Sequence, residues 1–193
     1  MPNDLSPQKA TPAQKPVIPA RERNLSVAGR LFYRAGFRAI GVDRVIAEAD
    51  VAKATFYRHF PTKDDLIVAW INQAEAMSIK VMTTAPSSTP LTDYAGGMVD
   101  IATHYYCLGC TYQGTAAEFG EADHPAHQAA LAVKQRIVAT LRDQAQKQGL
   151  ADPTATAEQV FIFLEGVWAT KRMFGDAAPL GRAKDALRRL IAP

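Results

Sequence analysis

Two short stretches concentrate the side chains able to do chemistry. In ADVAKATFYRHFPTK, residues 49–63, the donors Lys53, Thr55, Tyr57, Arg58, His59 and Lys63 crowd around Phe56 and Phe60, with Pro61 close behind. In HYYCLGCTY, residues 104–112, Cys107-x-x-Cys110 stands beside His104, Tyr105, Tyr106 and Tyr112. Cationic and hydroxyl donors with few acids among them suit a polyanion. Lys and Arg donate to phosphate oxygens or to guanine O6 and N7, and hydroxyls fix register on the backbone. The thiol pair, with His104, His124 and His127 near it in sequence, allows structural thiols, a redox or electrophile sensor, or a metal site. A zinc site usually shows two spaced ligand pairs, and only one pair is present, so no metal is expected. A dithiol oxidoreductase wants a strand–turn–helix context that the pattern lacks, and no catalytic residue or cofactor is expected.

The elements that must carry these residues all read as helix. Ala28, Leu31, Phe32 and Ala35 follow the i, i+3, i+4, i+7 template, and Gly36 stops that helix. Val42, Val45, Ile46 and Ala49 repeat the spacing in a helix of barely two turns, broken at Asp50-Val51. A second short helix runs from about Ala52 to His59, where Pro61 ends it. Thr62-Lys63-Asp64-Asp65 matches a capping box and opens a helix carrying Leu66, Ile67, Trp70, Ile71, Ala74, Met77 and Val81, interrupted by the Pro86–Pro90 stretch. Further helices are predicted over 91–108, 124–148, 153–174 and 180–191, with a less regular segment around Cys110 and Ala116–Phe119. No alternating strand pattern, glycine-rich phosphate loop or internal repeat is present. The fold class is all-α.

Two short helices joined by a tight turn and preceded by a longer one make a helix-turn-helix. On a wheel at about 100° per residue, Ala52, Phe56 and Phe60 point toward Val45, Ile46 and the first helix. Ala54 and Arg58 point the opposite way, flanked by Thr55 and Tyr57, and Lys53 lies at the helix N-terminus, where recognition helices meet base edges. Thr55, Tyr57 and Lys63 suit phosphates, and the amides opening the next helix offer another phosphate site. Arg44, on the helix before, joins this DNA-facing set. The bland alternative is a solvated polar face on a structural helix.

Charge distribution favours the polyanion. Residues 21–63 hold nine Lys/Arg against four Asp/Glu, whereas residues 64–193 hold eleven against fourteen. The first twenty residues carry five prolines and no apolar h-region, which predicts a disordered tail over 1–20 and no secretory signal. No apolar run reaches the roughly eighteen residues that a membrane span needs. Two cysteines without an export signal predict a reducing cytoplasm.

The stretch GFRAIGVDRVIAEADVAKATFYRHFPTKDDL resembles the DNA-binding signature of the tetracycline-repressor (TetR) family. The matching positions are Gly36-Phe37, Val45-Ile46-Ala47, Val51, Lys53, Thr55-Phe56-Tyr57, His59-Phe60, Lys63 and Leu66. The resemblance implies a helix-turn-helix head over 21–66 and a helical ligand-binding and dimerisation domain over 67–193. It implies phosphate contacts for Thr55, Tyr57, His59 and Lys63, and base contacts for Lys53 and Ala54. Gly41, Asp50 and Ala54 depart from the usual pattern, at a capping hydroxyl and at two glycines. The implied partners are a palindromic double-stranded DNA operator, a small-molecule effector and a second copy of the chain. The expected function is transcriptional repression released by ligand, not enzymatic turnover. The dimer would use Val160, Phe161, Phe163, Leu164, Val167, Trp168, Leu187, Leu190 and Ile191, some of which must instead close the monomer's own core. Candidate pocket residues are Trp70, Tyr105, Tyr112, Phe119, Trp168 and Arg172. A thiol-responsive repressor using Cys107 and Cys110 is the alternative.

Overall fold

The structure, a computed structural model, describes residues 18–83, 89–104 and 106–191, with side chains described for all of these except 77–83. Most of the expected tail (residues 1–17), most of the Pro86–Pro90 interruption, the side chains of Met77 and Val81, and Tyr105 thus lie outside the described residues. Within them every regular element is a helix: α1 Ala20–Ala35, α2 Val42–Ala49, α3 Lys53–His59, α4 Lys63–Thr83, α5 Leu91–Thr103, α6 Thr111–Glu118, α7 Pro125–Lys147, α8 Pro153–Phe174 and α9 Ala183–Ile191.

The first three helices close on the apolar stripe that their spacing dictates. Leu25, Ala28, Leu31 and Phe32 of α1 are buried with Val45 of α2, Phe56 of α3 and Phe60 just beyond its end. Asp50 ends α2 in the left-handed region, φ 51° and ψ 55°, a conformation that Asp tolerates better than most residues. The Asp50 and Val51 amides bond back to the Ala47 and Ile46 carbonyls, both at 3.3 Å. Ala52 corrects the wheel: it is exposed and precedes the first turn of α3. The capping box forms as read, with the Asp65 amide donating to Thr62 Oγ1 at 3.1 Å and the Thr62 amide to Asp65 Oδ2 at 2.9 Å.

Three boundaries in the larger half differ from expectation, each for a local reason. Helix α5 stops at Thr103, not near 108; the Thr103 hydroxyl donates to the Val99 and Asp100 carbonyls at 3.0 and 3.1 Å, a back-bond that competes with helix continuation. The segment read as irregular contains α6. Tyr112, Gly114 and Thr115 of that helix are all buried, so it has no single apolar stripe to detect. Helix α9 starts at Ala183, because 178–182 turn first, with the Leu180 amide donating to the Ala178 carbonyl at 2.8 Å.

Two apolar clusters result. One joins the head to the near end of the larger half: Phe37, Leu66, Ile67 and Ile71 share it with Tyr112, Phe119, Ala126, Ala130 and Val133. The other packs α5, the end of α7, α8 and α9 around Leu91, Val99, Leu141, Val160, Leu164 and Leu187. Among the described residues no helix is long and apolar enough to cross a membrane.

Candidate functional site

The head presents the donors on one surface. Phe56 and Phe60 anchor α3 inward, which leaves Lys53, Ala54, Tyr57 and Arg58 exposed and Thr55, His59 and Lys63 half-buried at the edges. The Lys53 ammonium bonds to Asp43 Oδ1 of α2 at 3.0 Å, and that carboxylate raises its pKa. Arg44 Nε bonds to Glu48 Oε1 at 2.9 Å, while Arg30 of α1 takes Glu48 Oε2 at 2.6 Å; the two guanidiniums hold the Glu48 carboxyl below its usual range. Burial lowers the Lys63 pKa, opposed by Asp64 and Glu118. With Asp65 and Thr62 engaged in the capping box, the Lys63 and Asp64 amides are left at the open end of α4. No cap hydroxyl exists at Gly41, and no side chain caps α2.

A second set of contacts ties this head to the larger half. The Glu118 carboxylate, at the C-terminus of α6, accepts from the Phe37 amide at 3.0 Å and from the Arg38 amide at 2.8 Å. The Glu118 carbonyl accepts from Arg38 Nε at 2.8 Å. Gly36 makes room for this grip. Its φ is +84°, and a Cβ there would lie 2.7 Å from Glu118 Oε1. The Arg38 guanidinium lies 5.4 Å from the Phe119 ring centroid, and that ring stacks on His124 at 4.3 Å.

Between α1 and helices α4 to α8 lies a cavity of about 850 Å³, within the range of small-molecule sites. Its walls are mainly apolar and aromatic, with Tyr33, Tyr94, Met98, Ile101, Tyr112 and Trp168 prominent. Burial raises the pKa of Tyr94. Tyr33 is pushed up to about 12, chiefly by burial, partly offset by its bond from the Leu108 amide. Tyr112 and Trp168 are thus the anticipated aromatics that reach the cavity. Trp70 instead packs on Phe32 and Phe37 at 6.1 and 5.6 Å between centroids, Phe119 belongs to the head-side core, and Arg172 is exposed beside Gly109 and Gly114.

Sequence reasoning passed over Tyr33, Glu118 and the charged wall. Tyr33 lies off the apolar stripe of α1, and its role depends on a loop seventy-five residues away. No local pattern signals such a contact.

Both cysteines are free thiols on the cavity wall. Cys107 Sγ accepts from the Gly109 amide at 3.4 Å and lies 3.7 Å from the Tyr33 hydroxyl. Of the nearby histidines, His104 shares the cavity wall and accepts from the Tyr106 amide at Nδ1, 3.4 Å, whereas His124 Nδ1 caps α7 by accepting from the Ala126 amide and His127 Nδ1 bonds to the Phe119 carbonyl at 2.7 Å. Among the described residues no group of three His, Cys, Asp or Glu side chains is placed to hold a metal ion.

A helix-turn-helix with an exposed donor face, set on a larger helical body, defines a DNA-binding transcriptional regulator. Comparison with known proteins agrees. Residues 25–70 match the model described as bacterial regulatory proteins, tetR family. The crystal structure of SCO4454, a TetR-family transcriptional regulator from Streptomyces coelicolor, is 32% identical with a TM-score of 0.81, covering 89% of this chain and 94% of that one. A putative TetR-type regulator from Streptomyces avermitilis is 26% identical with a TM-score of 0.78, covering 90% and 97%. The uncharacterized HTH-type transcriptional regulator YdeS of Bacillus subtilis is 32% identical over 80 residues, which span 42% of this chain and 35% of that protein. The chain belongs to the TetR family of transcriptional regulators.

Proposed function

We propose that this chain is a cytoplasmic repressor whose head, residues 21–66, binds a palindromic operator as a dimer, and whose remainder releases that operator when a small molecule fills the cavity. One observation carries the reading: the cavity wall includes Tyr33, which belongs to α1 of the head. A ligand there touches the reading module directly. A second route starts at Thr111 and Tyr112 in the wall and runs along α6 to Glu118, which grips the turn between α1 and α2. A ligand that favours a different arrangement of these contacts changes the spacing of the two heads and so weakens operator binding.

For the dimer, Val160, Leu164, Val167, Leu187 and Ile191 close the chain's own core. That leaves the outer side of α8, where Ile162 is 69% exposed, Met173 80% and Phe174 52%, as the apolar surface for a second copy. On DNA, Thr55, Tyr57, His59 and Lys63 take phosphates, while Lys53, Ala54 and Arg58 face base edges and Arg44 supports them from α2. Selection of bound duplexes from a random pool, followed by affinity at two salt concentrations, tests the reading. A recovered palindrome with a steep salt slope supports it, and sequence-indifferent binding rejects it.

A thiol-responsive variant of the same regulator has one observation in its favour, the placement of both free thiols on the cavity wall with Cys107 against Tyr33. A soft electrophile would form an S–C bond at Cys107, the thiol proton passing to the adduct, and push the sulfur away from that hydroxyl. Mass spectrometry and operator affinity after such treatment, compared with Cys107→Ser, decide it. An alkylated Cys107 that leaves affinity unchanged removes this variant.

A further inference from the structure

The charges around the cavity select a class of effector, an inference that rests on the cavity being the effector site. Both cations on the wall are already committed. Arg136 donates twice to Glu75, from Nε to Oε1 at 2.5 Å and from Nη2 to Oε2 at 2.7 Å. Lys134 pairs with Glu165 and sits over the rings of Tyr112 and Phe161, at 5.8 and 5.5 Å. Of the wall's acids, Glu75 is held by Arg136, and Asp100 by Lys184 from α9. Asp143, two helical turns beyond Arg136 on α7, has no partner among the described residues.

Among the described residues the wall therefore offers an uncommitted acid and no uncommitted lysine or arginine; its other basic group, His104, is exposed and accepts from the Tyr106 amide at Nδ1, 3.4 Å. To pair with a guanidinium or ammonium, an anionic ligand would have to take Arg136 from Glu75 or Lys134 from Glu165, and the Glu75 side chain, only 14% exposed, would be left as a bare buried carboxylate. A cation meets no such obstacle. Five aromatic residues, Tyr33, Tyr94, Tyr106, Tyr112 and Trp168, also line the space, and ring faces attract positive charge.

We infer that the effector is a lipophilic cation, an apolar ring system bearing one positive charge, with its rings among the tyrosines and Trp168 and its charge at Asp143. A matched set of probes separates this from its alternatives: one dansyl group on a five-carbon chain ending in an ammonium, a methyl or a carboxylate. Fluorescence titration of the full chain at neutral pH should rank ammonium tightest, at least tenfold ahead of carboxylate. Asp143→Asn, at an exposed position on α7, should remove most of the ammonium's advantage and leave the methyl probe within twofold. Carboxylate binding as tightly as ammonium, indifference of the ammonium probe to Asp143→Asn, or no binding by any probe would each overturn the inference.

Operator affinity measured in the same samples keeps the two readings apart. Selective ammonium binding through Asp143 without operator release sustains this inference and sinks ligand-released repression. Operator release by the carboxylate probe alone does the reverse.

Discussion

The hydroxyl of Tyr33 on α1 accepts a hydrogen bond from the Leu108 amide at 2.8 Å, which pins the reading head to the loop that walls the cavity. Its own proton goes to the Gly109 carbonyl at 3.1 Å. Tyr33→Phe keeps the ring and strands both backbone groups. The expected loss is about 1–2 kcal/mol, because a half-buried donor and acceptor lose their partner. Chemical denaturation checks it; an unchanged midpoint would mean that water replaces the hydroxyl without cost.

The same phenol gives stability a pH dependence. Tyr33 is raised to about 12 in the folded chain, whereas an unfolded tyrosine titrates near about 10. Between those values the folded state keeps a proton that the unfolded state has lost, so stability falls as pH rises. Stability is fully present below the unfolded value. Comparing denaturation at pH values on either side of the lower limit, the wild-type chain should lose more stability than Tyr33→Phe. Parallel losses would place the effect on other groups.

Glu118→Gln tests the grip on the turn between α1 and α2. The carboxylate receives two amides, from Phe37 and Arg38, and charge-assisted bonds of this kind are the stronger class. A glutamine keeps one good acceptor and puts an NH₂ group where the other amide points. Hydrogen exchange at the Phe37 and Arg38 amides should accelerate by roughly tenfold or more, equivalent to about 1.4 kcal/mol of local protection. Exchange left unchanged at both amides would count against the grip.

On the DNA face, Lys53 and Lys63 should separate base reading from phosphate binding. Lys63→Ala should weaken every duplex similarly and flatten the salt slope by about one ion. Lys53→Ala should relax preference at one base pair per half-site, at a cost of about 1–3 kcal/mol. Asp43→Asn frees the Lys53 ammonium from its partner and removes an exposed negative charge beside it, so affinity should rise for all sequences. Equal losses at every sequence for Lys53→Ala would assign Lys53 to the backbone.

The head was legible in the sequence because its contacts are local and periodic. Phe56 and Phe60 declared the inner side of α3, and Thr62 with Asp65 declared the start of α4. Ala52 was misplaced because it sits just before the first turn, where a helical wheel no longer describes the backbone. The larger half was less legible. Helix α6 is buried on several sides and so lacks an amphipathic stripe. Among its aromatics, composition could not distinguish Tyr112 and Trp168, which face the cavity, from Trp70 and Phe119, which face the head. The ion pairs that give the cavity its charge character, Glu75 with Arg136 and Lys134 with Glu165, join residues that are sixty-one and thirty-one positions apart. No spacing rule connects them.

The apolar cluster that runs without interruption from Leu25 through Phe37 and Ile71 to Phe119 and Val133 limits how this protein can be re-engineered. A chimera that transplants the first sixty-six residues onto a foreign body would leave Phe37 facing water in place of Phe119, its neighbour at 5.8 Å. A workable graft must carry α6 and the first turns of α7 along with the head. The cut point for swapping specificities therefore follows packing, not the end of the helix-turn-helix.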